Sequence, residues 1–285
     1  MLNTNTISAD CVIPSTVSMG NNIRIHNNVI ISPNVVLYNN ITIYDNVSIG
    51  SGTRIHDGVV IYPETRIGEN CVILEHVTLG RPPETAGALT RPLKQSYPPL
   101  SVGDSCLIGP SSKIYRGANI GNHVSIYEFV TVREECVLGN GVVLAPGVSV
   151  NYETTIGDRT RVMHSTHLTG GMIIEEDVFI SLHVGTTNDH LVETIRDSRT
   201  WKGAHIERGC VIGAGVMLAP GIRIGEGSHI TMQSVVTNDV PAYTLIKTEV
   251  EQDSGRIRLG NRQVPLRRRP RTGHDIAQST PNTLT

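Results

Sequence analysis

The chain holds no apolar run approaching the roughly 20 residues of a membrane span, and its N-terminus has no basic segment followed by an apolar stretch. Those absences lead us to expect a cytoplasmic protein with no membrane partner. The formal net charge is only −2 over 285 residues, which leaves no general attraction to nucleic acid or an anionic surface. Cysteine is sparse, at five residues, and the spacing of Cys11, Cys71, Cys106, Cys136 and Cys210 argues against a disulfide framework or a thiolate metal site. Tryptophan occurs once, as Trp201.

What the chain does have is a clock. Every sixth residue from Ile7 to Leu79 is aliphatic, thirteen in succession. At 39% hydrophobic residues, that run would arise by chance about five times in a million, so it is a structural signal. The pattern restarts at Val102 and runs to Ile180, then again from Ile206 to Val236. A period of six fits neither an α-helix nor a plain strand, and short fixed repeats mark solenoids whose units bury their apolar faces only by stacking.

The residue four places after each clock position is also small or apolar, as in Val29, Val35, Val130 and Val178, so each hexad points two side chains inward. All five cysteines occupy this second inward position and read as core residues. On that reading Cys136→Ser is expected to cost roughly 1 to 3 kcal/mol, for want of a partner for the new hydroxyl. Glycine often follows the clock residue (Gly20, Gly50, Gly121, Gly139), and asparagine recurs two places later (Asn22, Asn28, Asn34, Asn40). Both types tolerate the positive φ angles of tight corners.

The clock slips twice. The first slip is a proline-rich insertion at about 81–101, and the second spans about 185–203 and holds Trp201. One repeat phase governs the rest, giving a single solenoid domain over 1–243 and a basic extension over 244–285, expected to be a solvated tail with a disordered end or a phosphate contact. Long loops on a rigid scaffold are where function concentrates. Four of the eleven histidines, His164, His167, His183 and His190, gather next to the second insertion. With 18 residues per coil, position 185 stacks over His167. A neutral imidazole is the usual general base near pH 7, so His164 is the first candidate for catalysis. His167, His183, Asn188, Asp189 and His190 are candidates for substrate binding, and solvated corner histidines are the alternative.

On these hexads the chain resembles the hexapeptide-repeat proteins, which implies an all-β, left-handed parallel β-helix of about eleven coils; the hand comes from the resemblance alone. The segments IEEDVFISLHVGTTND at 174–189, KGAHIERGCVIGAGVMLAPGIRIGEGSHITMQSVVTNDVPAY at 202–243 and GNHVSIYEFVTVREECVLG at 121–139 are similar to the sugar-nucleotide N-acetyltransferases of that family. The resemblance implies acetyl-CoA, or another acyl-CoA, as co-substrate with no metal. It also implies a homotrimer with sites between subunits and an amino group on a nucleotide-linked deoxysugar as acceptor. It places Gly203, Ala204, Gly213, Ala214, Ala219 and Gly221 along the pantetheine, Lys247 at the CoA phosphates and Asn188 at the loop-motif asparagine. No Rossmann-like segment precedes the repeats, which disfavours the bifunctional nucleotidyltransferase form. O-acyl transfer to a sugar or small-metabolite hydroxyl, a zinc enzyme of the γ-carbonic-anhydrase type and a non-catalytic scaffold stay open as alternatives.

Overall fold

A computed structural model of the chain describes residues 4–85, 91–189, 201–253 and 256–265. Strands of mostly two residues recur at the clock positions, each paired in parallel with the strand one coil away, as Arg24–Ile25 pairs with Thr42–Ile43 and that strand with Val60–Ile61. They line up in three sheets: face A of 12 strands from Thr6–Ile7 to Val235–Val236, face B of 10 from Ile30–Ile31 to Arg223–Ile224, and face C of 13 starting at Ser18–Met19. The chain visits A, B and C in that order, which is the architecture expected of the left-handed parallel β-helix.

There are about twelve turns rather than eleven. The clock passes over Gly185–Thr186, because a threonine holds the aliphatic position there. Thr186 is buried, and its Oγ1 donates to the His167 carbonyl (3.0 Å) and accepts the Thr169 N–H (2.8 Å), so the hydroxyl is satisfied within the stack. Val240 and Ile246 complete the last turn, bridging to Ile224 and Ile230.

The clock residues and their partners four places on fill one continuous core, with Ile61, Ile73, Leu79, Ile108 and Val178 essentially inaccessible. Cys71, Cys106, Cys136 and Cys210 are buried in it, while Cys11 on the first turn is only half-buried. The core is not wholly apolar. Thr53, Ser112, Thr154, Thr160 and Thr166 occupy the second inward position, and each donates its hydroxyl to a carbonyl on the next coil at 2.7–2.9 Å. Cys136 and Cys210 donate their thiols to the equivalent carbonyls of Asn151 (3.0 Å) and Gly225 (3.1 Å). A partner for an inward hydroxyl is therefore built into the stack, contrary to the expectation for Cys136→Ser. Thr65 is the exception. Its Oγ1 is buried without a partner among the described residues, below the widened strand Thr78–Arg81 where the first insertion departs.

The corners correct a second expectation. Asn22, Asn28, Asn34 and Asn40 do adopt positive φ, near 54–61°. Most of the glycines following the clock residue do not; they are small because the next coil passes too close. A Cβ on Gly139 would lie 2.4 Å from Asp158 Oδ1 and 2.7 Å from the Asp158 nitrogen.

The start of the expected solvated tail is a β-hairpin. Thr244–Asp253 joins face C through Leu245 and Ile246, then pairs antiparallel with Arg256–Pro265, which sets Glu251 opposite Arg258 and Asp253 opposite Arg256. Residues 266–285 lie outside the described ones.

Candidate functional site

Both insertions leave the solenoid at the same edge, the corner between faces A and B: the first follows Thr78–Arg81 and the second follows Gly185–Thr186, both strands of face A. The first insertion then runs along that edge. Arg116 ties it down by donating to the carbonyls of Tyr97 (2.9 Å) and Pro63 (3.0 Å) and pairing with Glu64. Farther along, Lys94 bridges Glu135 (2.6 Å) and Glu153 (3.4 Å). Arg91 pairs with Glu134, a fully buried carboxylate that Arg133 also holds at 2.8 Å.

Arg91 also covers the ring of Tyr152, 3.8 Å from its centroid. The same ring packs on Gly170, where a Cβ would come within 2.4–2.8 Å of the ring carbons. The Tyr152 hydroxyl in turn accepts a hydrogen bond from Asn188 Nδ2 at 3.2 Å, and the same amide nitrogen donates to the Gly170 carbonyl at 3.4 Å. Asn188 is the root of the second insertion, so the two insertions meet at this edge. Between them lies a cavity of about 370 Å³ lined by Arg91, Leu93, Tyr152, Gly170, Asn188 and Trp201, among others. Among the described residues its two cations are paired: Arg91 with Glu134, which Arg133 also holds, and Lys94 with Glu135 and the lining Glu153.

His167 sits on face A beside this edge, directly below Gly185. Its Nε2 lies 3.5 Å from the Nδ2 of Asn151, the residue before Tyr152. The absence of a side chain at Gly185 admits the Met217 thioether over the same stretch of the face. His167 is exposed on this face, as His164 and His183 are on theirs, and the partial loss of solvent around its imidazole lowers its pKa from the ordinary histidine value of 6.5.

His164 and His183 lie elsewhere, at the corner between faces C and A, stacked one coil apart with the His183 N–H donating to the His164 carbonyl (3.0 Å). Both are exposed. Face A therefore separates His164 from the meeting point of the insertions, with His167 between them. Asp189 is half-buried beside Asn188, and His190 lies outside the described residues.

The residues expected along an acyl-CoA do not form one line. Gly203, Ala219 and Gly221 fall at the A–B corner, Gly213 and Ala214 at the C–A corner, and exposed Lys247 where the hairpin leaves face C. Ala204 is fully buried, its methyl inside the core. Turn stacking explains two of the glycines: a Cβ on Gly203 would meet the Met172 nitrogen at 2.6 Å, and one on Gly213 the Met232 nitrogen at 2.5 Å. The sequence reading missed Arg91, Glu134, Asn151 and Tyr152. The signal was available, since counting coils in steps of 18 puts both insertions, and positions 134, 152 and 170, on one edge.

Among the described residues no group of three histidine, cysteine or acidic side chains is placed to hold a metal ion, and no helix is long and apolar enough to cross a membrane. The family model described as bacterial transferase hexapeptide (six repeats) matches residues 22–57, 46–81 and 203–238, and that described as hexapeptide repeat of succinyl-transferase matches 99–127 and 130–146. Among curated proteins, the bifunctional protein GlmU of Thermotoga petrophila is 30% identical over 160 residues, covering 50% of this chain and 34% of the relative. UDP-3-O-acylglucosamine N-acyltransferase of Polynucleobacter asymbioticus is 29% identical over 148 residues, covering 50% of this chain and 39% of its own. The chain thus spans little more than a third of the curated relatives it matches. Among solved structures, UDP-N-acetylglucosamine acyltransferase from Campylobacter jejuni is 16% identical, covers 90% of this chain and 74% of its own, and has a TM-score of 0.37. On its repeats and its fold, the chain belongs to the hexapeptide-repeat transferase family.

Proposed function

We propose that this protein is an acyltransferase that moves an acyl group from acyl-CoA, acetyl-CoA in the first instance, to an amino group on a nucleotide-linked sugar. The observation that carries the reading is the placement of His167, with its Nε2 3.5 Å from Asn151, the residue next to Tyr152, on the face beside the edge where both insertions converge; partial desolvation, which lowers its pKa, favours the neutral imidazole a base needs. Repeats of transferase type and a relative named for N-acyl transfer to a UDP-linked glucosamine support the choice of chemistry.

In this reading neutral His167 takes the proton as the acceptor amine attacks the thioester carbonyl. The new C–N bond forms, the C–S bond breaks, and the proton returns to the departing thiolate as the CoA thiol. Geometry favours His167 over His164 as the base, because His164 lies across face A from the meeting insertions. His164 and His183 then belong to a second subunit's contact with this face. Leu182 and Met232 are 42% and 67% exposed at the same edge, and Met217 and Val235 are 44% and 58% exposed on face A itself, in the register column of His167; together they form an apolar surface that a homotrimer would cover. Gly203, Gly221 and Lys247 remain candidates for CoA contacts. Acceptor hydroxyls suit the same base, so O-acyl transfer is the second reading, separated from the first by the alkali stability of the product.

The test is His167→Asn. Removing a general base costs on the order of 10² to 10⁴ in rate, so kcat should fall by that factor with little change in donor affinity. Because the folded imidazole loses its proton more readily than a free one, the acid limb of the wild-type kcat/KM profile should be centred below the ordinary histidine value of 6.5. Near-normal turnover by His167→Asn, or an acid limb centred above 6.5, would remove His167 from the chemistry.

A further inference from the structure

We infer that the cavity between the two insertions binds a nucleobase. The choice of a nucleotide ligand rests on the sugar-nucleotide reading above; the shape and chemistry of the site do not.

The cavity offers flat surfaces and compensated charge. Tyr152 packs against both Gly170 and the Arg91 guanidinium, whose carbon lies 3.8 Å from the ring centroid, so the ring backs the guanidinium. The outer face of that guanidinium and the Trp201 indole are planar surfaces of the kind on which bases stack. Among the described residues Arg91 and Arg133 share Glu134, and Lys94 is held between Glu135 and Glu153, so both cations that line the cavity already have carboxylate partners. Paired cations and flat surfaces suit an uncharged ring better than a phosphate.

Two polar atoms at this wall have hydrogen-bonding capacity to spare. The Trp201 Nε1–H is enclosed and, among the described residues, bonded to nothing, an unusual state for a buried donor. Asn188 uses its amide nitrogen on Tyr152 and Gly170, and no bond to its Oδ1 is found among the described residues. One donor and one acceptor complement a base edge that carries an adjacent carbonyl or ring nitrogen and an N–H. At about 370 Å³ the cavity lies at the small end of ligand pockets, room for part of a ligand rather than the whole of one. Two sources could supply such a ring: the base of the nucleotide-linked acceptor and the adenine of the acyl donor.

Trp201 is the only tryptophan in the chain, so its fluorescence reports on this cavity alone. The full-length protein is titrated separately with uridine monophosphate, thymidine monophosphate, adenosine 3′,5′-bisphosphate, inorganic phosphate and N-acetylglucosamine. The inference expects a saturable change with the pyrimidine nucleotides or with the adenosine nucleotide, which names the source, and none with phosphate or the free sugar. Asn188→Ala should weaken that binding about tenfold or more. Arg91→Ala should do the same, and Asn188→Ala covers the case in which loss of Arg91 disturbs Glu134. No saturable change with any nucleotide, an equal response to phosphate, or a response to the free sugar alone would overturn the assignment. Binding is read without turnover. Acyl transfer without nucleotide binding here would sink this inference and leave the function standing, and nucleotide binding without acyl transfer would do the reverse.

Discussion

Cys136 shows how the interior accommodates polarity. Its thiol donates to the Asn151 carbonyl at 3.0 Å, the contact that Thr154 and Ser112 make through hydroxyls with carbonyls of their own next coils. Cys136→Ser should therefore change stability by no more than about 1 kcal/mol, the usual net value of one hydrogen bond, read as the urea midpoint at unchanged m. A loss of several kcal/mol would show that the carbonyl is out of a hydroxyl's reach. Burial pushes the Cys136 and Cys210 thiols up to about 12, so both should resist labelling until the chain unfolds. The inward placement of these cysteines was legible from the clock. Their carbonyl partners were not, because a six-residue period fixes which way a side chain points but not which backbone group on the next coil faces it.

The hexad is the element of this fold, and its corners set what substitutions it tolerates. Gly139→Ala would drive a Cβ into the backbone and side chain of Asp158, whose Oδ1 also accepts the Asn140 N–H at 2.7 Å. The expected cost is about 1 to 3 kcal/mol from overpacking. Gly209 provides the contrast: it has φ of +66°, and no described atom lies within 4 Å of where a Cβ would stand, so Gly209→Ala carries only the backbone penalty of about 1 to 2 kcal/mol. Thermal melts of the two variants should show a larger loss accompanied by altered packing around Asp158 only for Gly139→Ala. The glycine column was plain in the sequence while its cause was misread, since composition does not distinguish a glycine needed for its φ from one needed for its size. Thr186 was hidden for a related reason: a hydroxyl that satisfies itself within the stack can hold a place the pattern reserves for aliphatics.

On the scale of the whole molecule, the solenoid is a ruler that delivers two distant insertions to one edge. That edge was implicit in the 18-residue coil, yet the pairing of Arg91 with Glu134 and Tyr152 depends on how far the first insertion travels, which no periodicity encodes. From the sequence alone, His164 ranks first as the base and its neighbour His167 only as a substrate contact. The corner between them puts His167 on face A, in the column of Met217 and Val235, and leaves His164 at the C–A edge beside exposed Leu182 and Met232. If that edge is a subunit contact, light scattering should give a mass near three times 30.9 kDa, and Met232→Asp with Val235→Asp should lower it. The account as a whole rests on acyl transfer. It is tested most directly by following free CoA released from acetyl-CoA in the presence of a panel of amino-sugar nucleotides, comparing the wild type with His167→Asn. The account predicts release that requires one such acceptor and falls by about two orders of magnitude or more in the variant. No acceptor-dependent release with any acyl-CoA, or equal release by the variant, would contradict it.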